Sequence, residues 1–453
     1  MRALEAALLT LVCGGVLAFG AVHPWAHVAL WALAGACAAL LAAIAGRDAR
    51  ALRRARWVRP GPLAWPGLAF LGWALVQLAP RGGGAALCTV APRQTGRGAA
   101  FVAAALVVHA SAATVLADAA ARRRFRRVLC ALAGVLAVLA IAQAASGTRR
   151  IYWFFTPLEG SGSIFGPFVN RNHFAAALLL LVPICLGEMM RAWARVREAV
   201  PGHGGARVLL LALGRPEGTR LVALALLTTT ALMALVASGS RGALLALLAG
   251  LAAAVVAGGR GFLRTAGVVL GAAAAMTALW LGTERLSGRF ARAGAEAQDR
   301  IAVWKDAGQR IAREQLWVCG TGLNTFGVAF GRTAPWALPR GATPWPEALG
   351  QGGERSGYYV PAESRRIVWY REAHNEYLQV LAETGLPGLA VALWAAAIVL
   401  RRARRSPWLL AAMAAFLFHC LVDFDLQIPG LAMLFTALAA LPPAPTPARG
   451  RRA

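Results

Sequence analysis

Long runs of apolar residues, separated by shorter polar connections, recur from one end of this chain to the other. A helix of about 20 apolar residues crosses the roughly 30 Å hydrocarbon core of a bilayer. The pattern therefore predicts an all-α, polytopic membrane protein with about twelve spans, whose ends are placed to within about 2–4 residues. The predicted spans are 4–22, 25–46, 62–80, 99–117, 128–146, 172–190, 219–237, 242–258, 265–283, 375–400, 407–422 and 428–442.

Composition and charge agree with this class and orient the spans. Of the 453 residues, 58% are hydrophobic, and the net charge is +27. Arginine clusters fall in alternate connections, which the positive-inside rule places in the cytoplasm together with both termini. The clusters are 47–59, 122–127, 191–220, 260–264, 401–405 and 449–452. Because these charges lie beside apolar spans, they indicate contact with membrane lipids rather than with nucleic acid.

The largest polar element lies on the opposite side of the membrane. Residues 284–373 carry nearly half of the chain's acidic side chains, and loops of this length are usually functional. Within this loop, 289–311 has helical periodicity, whereas 333–359 is rich in Pro, Gly and Trp and is expected to be irregular.

The chain accordingly divides into four parts along its length. They are N-terminal spans (1–160), a second group of spans (161–283), the large outer loop (284–373), and the last spans with a short tail (374–453).

Cysteine spacing does not indicate a metal site or a cofactor. No CxxC or HExxH spacing occurs among the seven cysteines and seven histidines, so we expect neither a bound metal nor a cofactor. Only Cys88 and Cys319 are predicted on the outer side, and the sequence does not decide whether they pair.

Four polar segments share the outer side in this topology. They are 166–173 before the sixth span, 238–242 between the seventh and eighth spans, Arg300 with Trp304 followed by 320–322, and 373–388 where the loop re-enters the membrane. Ionisable groups at a membrane boundary cost free energy and usually mark function. Their common location therefore predicts one site.

These segments carry a resemblance to a known family. GPFxNxN, then SRG, then RxxxW leading to GxG, then HNxYLxxLxxxGxxG resembles the O-antigen ligases and their polymerase relatives over roughly residues 160–400. The resemblance implies a GT-C-like glycosyltransferase of the bacterial inner membrane that works without a metal. It would move a glycan from an undecaprenyl-pyrophosphate carrier to an acceptor hydroxyl on the periplasmic side.

The residue types suit this chemistry. Guanidinium groups stabilise a departing pyrophosphate through paired hydrogen bonds that lysine cannot reproduce, and histidine titrates near neutral pH, as a base for a hydroxyl should. We therefore assign His374 as the catalytic base or acceptor-orienting group, and Arg241, Arg300 and, less strongly, Arg171 as pyrophosphate ligands. Supporting roles are expected for Asn375, Tyr377, Asn172, Ser240 and Trp304.

Each assignment has a structural alternative. His374 could cap a helix, Arg241 could extend to lipid headgroups, and Arg300 could pair with Asp299 or Glu296. Other residues are better explained structurally in the first instance. Asn172 and His173 are expected to cap the sixth span, Asp423 and Asp425 to form a turn, and Gly385 and Gly388 to allow close helix packing.

Several functions use the same chemistry. The resemblance favours an O-antigen ligase that attaches O-antigen to lipid A-core, but no feature separates it from an O-antigen or exopolysaccharide polymerase, which takes a glycan acceptor. A protein O-oligosaccharyltransferase is a third possibility. A transporter for the same lipid belongs to another class, and such folds often contain interrupted helices, which the sequence does not clearly show.

Overall fold

The computed structural model describes residues 1–51, 58–80, 88–156, 164–200, 214–258, 267, 271, 293–330, 358–359, 368–369 and 372–442. The described α-helices are α1 (Arg2–Leu17), α2 (Pro24–Ala51), α3 (Ala64–Leu78), α4 (Pro92–Val115), α5 (Ala119–Ala145), α6 (Arg171–Ala199), α7 (Pro216–Ala237), α8 (Arg241–Gly258), α9 (Ala293–Arg313), α10 (Phe326–Ala329), α11 (Glu376–Ala403), α12 (Pro407–His419) and α13 (Pro429–Ala439). Short 3-10 turns lie at Phe19–Ala21 and Asp425–Gln427, and two-residue strands, β1 (Tyr358–Tyr359) and β2 (Val368–Trp369), pair antiparallel.

Each predicted apolar run that the structure describes over most of its length contains an α-helix. Six helices are long and apolar enough to cross a membrane, namely α2, α4, α5, α6, α7 and α11, while α3, α8, α12 and α13 are shorter apolar helices. The protein is thus a multi-pass helical membrane protein. The predicted run 265–283 lies outside the described residues apart from 267 and 271, and the number of crossings stays a prediction.

Proline and polar caps explain where several helices begin. Pro92, Pro216, Pro407 and Pro429 each occupy the first position of a helix, where the missing N–H costs nothing and the fixed φ suits the helix. Elsewhere a side chain accepts a hydrogen bond from an exposed N–H of the first turn. Asp118 does so for α5, Asn170 for α6 and Asn375 for α11.

Helix α6 forms the centre of the bundle. Of its most apolar stretch, 94% is buried, against 22% for α2 at the edge. It packs against α5, α7, α8, α12 and α13. Because α6 begins with Arg171, Asn172 and His173, this packing brings the first polar segment to the middle of the outer face.

Helix α11 is interrupted at Gly385. This residue has φ 66° and ψ −170°, and Pro387 follows it. The carbonyl groups released by the break are bonded by the 314–325 segment and by α3. Thr321 N donates to Ala382 O (3.0 Å), Gly322 N and Gln77 Nε2 to Glu383 O (both 2.8 Å), and Trp73 Nε1 to Thr384 O (2.8 Å). A helix break inside a membrane needs such replacement partners.

The interpretation of Gly385 as a packing residue was therefore incomplete, and the structure contains an interrupted helix that the sequence did not clearly show. Gly385 provides a left-handed backbone conformation that side chains disfavour. The break also differs from the substrate path of a transporter, because its carbonyls are bonded by the protein's own N–H groups.

Gly385→Ala is expected to destabilise the protein by about 2–4 kcal/mol, because the new methyl adds both strain and a clash. A Cβ atom at Gly385 would lie 2.5 Å from the carbonyl oxygen of Val318. A matched control is Gly72→Ala in α3, where a Cβ atom would meet nothing within 4 Å. Thermal unfolding in detergent measures both, and an equal Tm for the two variants would contradict this account of the break.

The segment 314–325 that follows α9, called the outer segment below, is joined covalently to the bundle. Cys88, just before α4, and Cys319, in the segment after α9, form a disulfide, which answers the question that the sequence left open. The predicted helix 289–311 corresponds to α9, and most of the predicted irregular region lies outside the described residues. The segment is thus fixed to α4 by the disulfide and to α11 at its break.

Candidate active site

The carboxylate of Asp423 connects three of the predicted polar segments. Its Oδ1 lies 3.3 Å from His374 Nδ1. Its Oδ2 accepts a hydrogen bond from Asn172 Nδ2 (2.8 Å) and lies 3.3 Å from Arg300 Nη2. Arg300 also donates to the carbonyl oxygen of Val422. Residues that are distant in sequence therefore meet around one side chain in the α12–α13 turn.

A second carboxylate in the same turn lies beneath this junction. Asp425 is fully buried, with His173 Nδ1 3.1 Å from Oδ1 and His419 Nδ1 2.5 Å from Oδ2. The ring of Phe424 packs edge-on against both His173 and His374, at centroid distances of 4.6 and 4.8 Å. The turn 423–425 is therefore the structural base of the site.

The electrostatics favour an ionised Asp423. Burial alone would raise its pKa, but the hydrogen bond with His374 and the charges of His173, His374 and Arg300 hold the pKa of this carboxyl well below its ordinary value. A carboxylate beside Nδ1 favours the tautomer with the proton on Nδ1, which leaves the basic lone pair of His374 on Nε2. At 3.3 Å the contact is slightly longer than an ordinary N–H···O hydrogen bond.

Several contacts hold His374 in place. Its φ is 50°, in the left-handed region that residues other than glycine rarely adopt. The preceding Ala373 is fixed on both sides, because its N–H donates to Gln379 Oε1 and its carbonyl accepts from Trp304 Nε1, both at 2.9 Å. Glu376 then joins the start of α11 to the turn by accepting from Leu426 N (3.2 Å) and Gln427 Nε2 (2.7 Å).

Arg241 and Arg171 lie at the edge of the same region. Arg241 is the first residue of α8, and its neighbour Gly242 packs so closely on Val422 that a Cβ atom there would come within 2.9 Å of it. Arg171 is the first residue of α6 and precedes Asn172, which bonds to Asp423. Each of these arginines is therefore the first residue of a helix whose N-terminus lies near the junction.

The remaining predicted residues form hydrogen bonds between their side chains and the backbone. Asn375 caps α11 by accepting from Leu378 N (3.0 Å), Tyr377 Oη donates to Leu417 O (2.9 Å), and Ser240 Oγ accepts from Ala243 N at the start of α8 (3.4 Å).

The prediction that Asn172 and His173 cap the sixth span was wrong. Asn170 caps it by accepting from Asn172 N (2.9 Å), which leaves the two side chains to bind Asp423 and Asp425. Asn170 is the cap because it has the extended backbone of a capping residue, whereas Asn172 and His173 already lie within the helix.

A cavity of about 1770 Å³ opens beside His374. Both Gln94 and His109 of α4 line the cavity. They are 15 residues apart, so the cavity follows about 22 Å of this helix. The outer end of the cavity is polar, with Gln94, Arg97, Asn170, Glu372 and His374. Farther in, the lining is mostly apolar, with Phe101, Leu106, Val391, Ala395 and Phe435, and includes His109 and Thr436 as polar residues. Of the described residues, Arg171, Arg241 and Arg300 do not line it. His374 thus has the cavity on one side and, across Asp423, the arginines on the other.

Asp423 and Asp425 were predicted only as turn residues, without a part in the site. Both are fully buried. The signal that identified His374, an ionisable group at a membrane boundary, applied equally to two carboxylates between apolar runs. Over the part of the chain that the structure describes, no group of three His, Cys, Asp or Glu side chains is placed to hold a metal ion.

Comparison with known proteins identifies the class and then the family. The fold defines a multi-pass helical membrane protein with a buried polar junction around Asp423. Residues 224–393 match the family model described as O-antigen ligase, so the chain carries a domain of the O-antigen ligase family. The match contains Arg241, Arg300 and His374, whereas Arg171, Asn172 and Asp423 lie outside it. No curated protein matches the chain.

Proposed function

We propose that the protein is an O-antigen ligase that transfers a glycan from undecaprenyl pyrophosphate to a hydroxyl of lipid A-core. The observation that carries this proposal is the convergence of His374, Arg300 and Asn172 on Asp423. A base and a cation held by one carboxylate are the two groups that displacement of a pyrophosphate requires. The match over residues 224–393 supports the same family of reactions.

The mechanism follows from the position of His374 between the cavity and Asp423. Nε2 accepts the proton of the acceptor hydroxyl, whose oxygen attacks the anomeric carbon of the donor. The bond between that carbon and the pyrophosphate oxygen breaks, and the electron pair leaves with the pyrophosphate. Arg300 and Arg241, with Arg171 as a further ligand, stabilise the added negative charge. Asp423 orients the ring and stabilises it after it gains the proton.

The cavity and the disulfide support the same assignment. A chamber with an apolar body and a polar end beside the base suits a substrate that consists of a lipid chain and a polar head. The Cys88–Cys319 bridge is expected on a side of the membrane where thiols are oxidised. It therefore supports a periplasmic location for the outer segment and for the site that this segment helps to form.

Arg300→Gln is expected to lower glycan transfer by about 10²-fold or more, the usual effect of removing one group that stabilises developing negative charge. The assay contains purified protein, undecaprenyl-pyrophosphate glycan and lipid A-core. The matched control is Arg313→Gln at the exposed end of the same helix α9, which should retain wild-type rates.

The products of this assay separate the alternatives. Formation of lengthened lipid-linked glycan without transfer to lipid A-core would identify a polymerase. Wild-type protein that forms no new glycosidic bond with any acceptor, yet moves the lipid across liposome membranes, would identify a transporter. Full activity of Arg300→Gln would remove this arginine from the mechanism.

A further inference from the structure

A second buried carboxylate gathers three arginines in the second half of α6, which continues to Ala199. Glu188 is 3% exposed and receives hydrogen bonds from three helices. Arg126 Nε of α5 lies 2.6 Å from Oε1, Arg191 Nη2 of α6 lies 2.8 Å from Oε1, and Arg220 Nη2 of α7 lies 3.3 Å from Oε2.

This cluster carries an excess of positive charge. One carboxylate balances one of three guanidinium groups, and Arg127 and Arg195 are close enough to add electrostatic repulsion at Arg220. The side chains of Arg126, Arg191 and Arg220 remain 21%, 42% and 29% exposed. Each guanidinium has more N–H donors than its contacts with Glu188 use. Glu188 thus holds the arginines together while donors face outward.

The cluster lies at the opposite end of the bundle from Asp423. Seventeen residues of α6 separate Arg171 from Glu188, which is about 25 Å of helix and close to the roughly 30 Å thickness of the hydrocarbon core. On the same helices, apolar side chains face outward between the two ends. Val135 and Val138 of α5 are 52% and 62% exposed, and Leu226 of α7 is 65% exposed.

The geometry points to a binding site for the phosphate headgroup of an anionic phospholipid at the arginine cluster around Glu188, where α5, α6 and α7 meet. Guanidinium groups bind phosphate oxygens through paired hydrogen bonds. The clustered charge lies at headgroup level, where basic residues attract anionic lipid, and the exposed apolar surface beside it can receive acyl chains. A soluble phosphate would use the charge but not this surface. This site is separate from the proposed catalytic site and does not depend on the proposed function.

Binding of defined lipids to the purified full-length protein tests this site. Delipidated protein in detergent is titrated with phosphatidylglycerol or phosphatidylcholine, and bound lipid is counted by native mass spectrometry. Wild type is expected to bind phosphatidylglycerol roughly tenfold or more tightly, in line with the attraction of about two uncompensated arginines. The double variant Arg191→Gln/Arg220→Gln should reduce this preference to about threefold or less.

The controls separate lipid binding from loss of fold. Arg191→Gln alone keeps Arg126 and Arg220 on Glu188, should retain a wild-type Tm, and should still lower the preference severalfold. Arg401→Gln, an exposed arginine in another basic cluster, should change nothing. Equal affinity of wild type for the two lipids would overturn the proposal. So would an equal loss in Arg401→Gln, or full displacement of phosphatidylglycerol by millimolar inorganic phosphate, which would indicate a soluble anion site.

Discussion

His374→Ala is expected to lower the rate of glycan transfer by about 10²–10⁴-fold, the usual contribution of a positioned acid or base. The substitution removes a side chain that lines the cavity and also lies 3.3 Å from the Asp423 carboxylate. Binding of the lipid-linked donor should persist, because arginines rather than the histidine are proposed to hold the pyrophosphate. The measurement is product formation by wild type and variant with a chelator present.

Two further readings make this experiment decisive. Donor binding, measured separately, should change by less than the rate, which places the loss in the chemical step. An unchanged Tm would show that the fold is intact. Retained transfer in His374→Ala would exclude this residue as the base, and a loss of donor affinity equal to the loss of rate would assign it to binding instead.

Asp423→Asn is expected to have an effect of similar size on transfer, although Asp423 need not touch the substrate. The change keeps the shape of the side chain but removes the negative charge that His374 and Arg300 share. His374 would lose the partner that sets its tautomer and stabilises its charged form. Breaking this buried pair should also lower the free energy of unfolding by about 3 kcal/mol. Transfer assays and thermal unfolding measure the two effects.

The pH profile distinguishes a positioning role from a structural one. If Asp423 tunes His374, the pH dependence of the residual activity in Asp423→Asn should shift relative to wild type. A purely structural role would lower the activity equally at every pH. A matched control is Asp118→Asn at the cap of α5, where the amide oxygen can still accept from Ala121 N, and which should leave the activity and its pH profile unchanged.

The helices could be predicted from the sequence because membrane insertion imposes a strong local signal. A run of apolar residues must satisfy its backbone internally, so its conformation follows from composition alone. His374 could also be named as a candidate, since ionisable groups are rare near hydrocarbon, and Arg300 through its place in the RxxxW motif; the roles of both stay predictions. Their meeting at Asp423 could not be predicted, because Asp423 lies outside every recognised motif and its burial depends on how α12 and α13 pack around α6.

The break in α11 shows the second limit. Glycine is common in membrane helices as a packing residue, and the sequence around Gly385 is compatible with that role. The observed role depends on a positive φ and on donors from Gln77, Trp73 and Gly322. Those donors come from distant parts of the chain, so no local pattern around Gly385 reveals them.

The Cys88–Cys319 disulfide has a consequence for the biogenesis of the protein. Its two cysteines are 231 residues apart, and the intervening chain includes α4 to α9. The bridge cannot close until all of these helices have left the ribosome and residue 319 has reached the same side of the membrane as residue 88. Oxidation of this pair therefore records that the middle of the chain was inserted with the correct orientation. Once the bridge has formed, the outer segment can no longer separate from the chain that leads into α4.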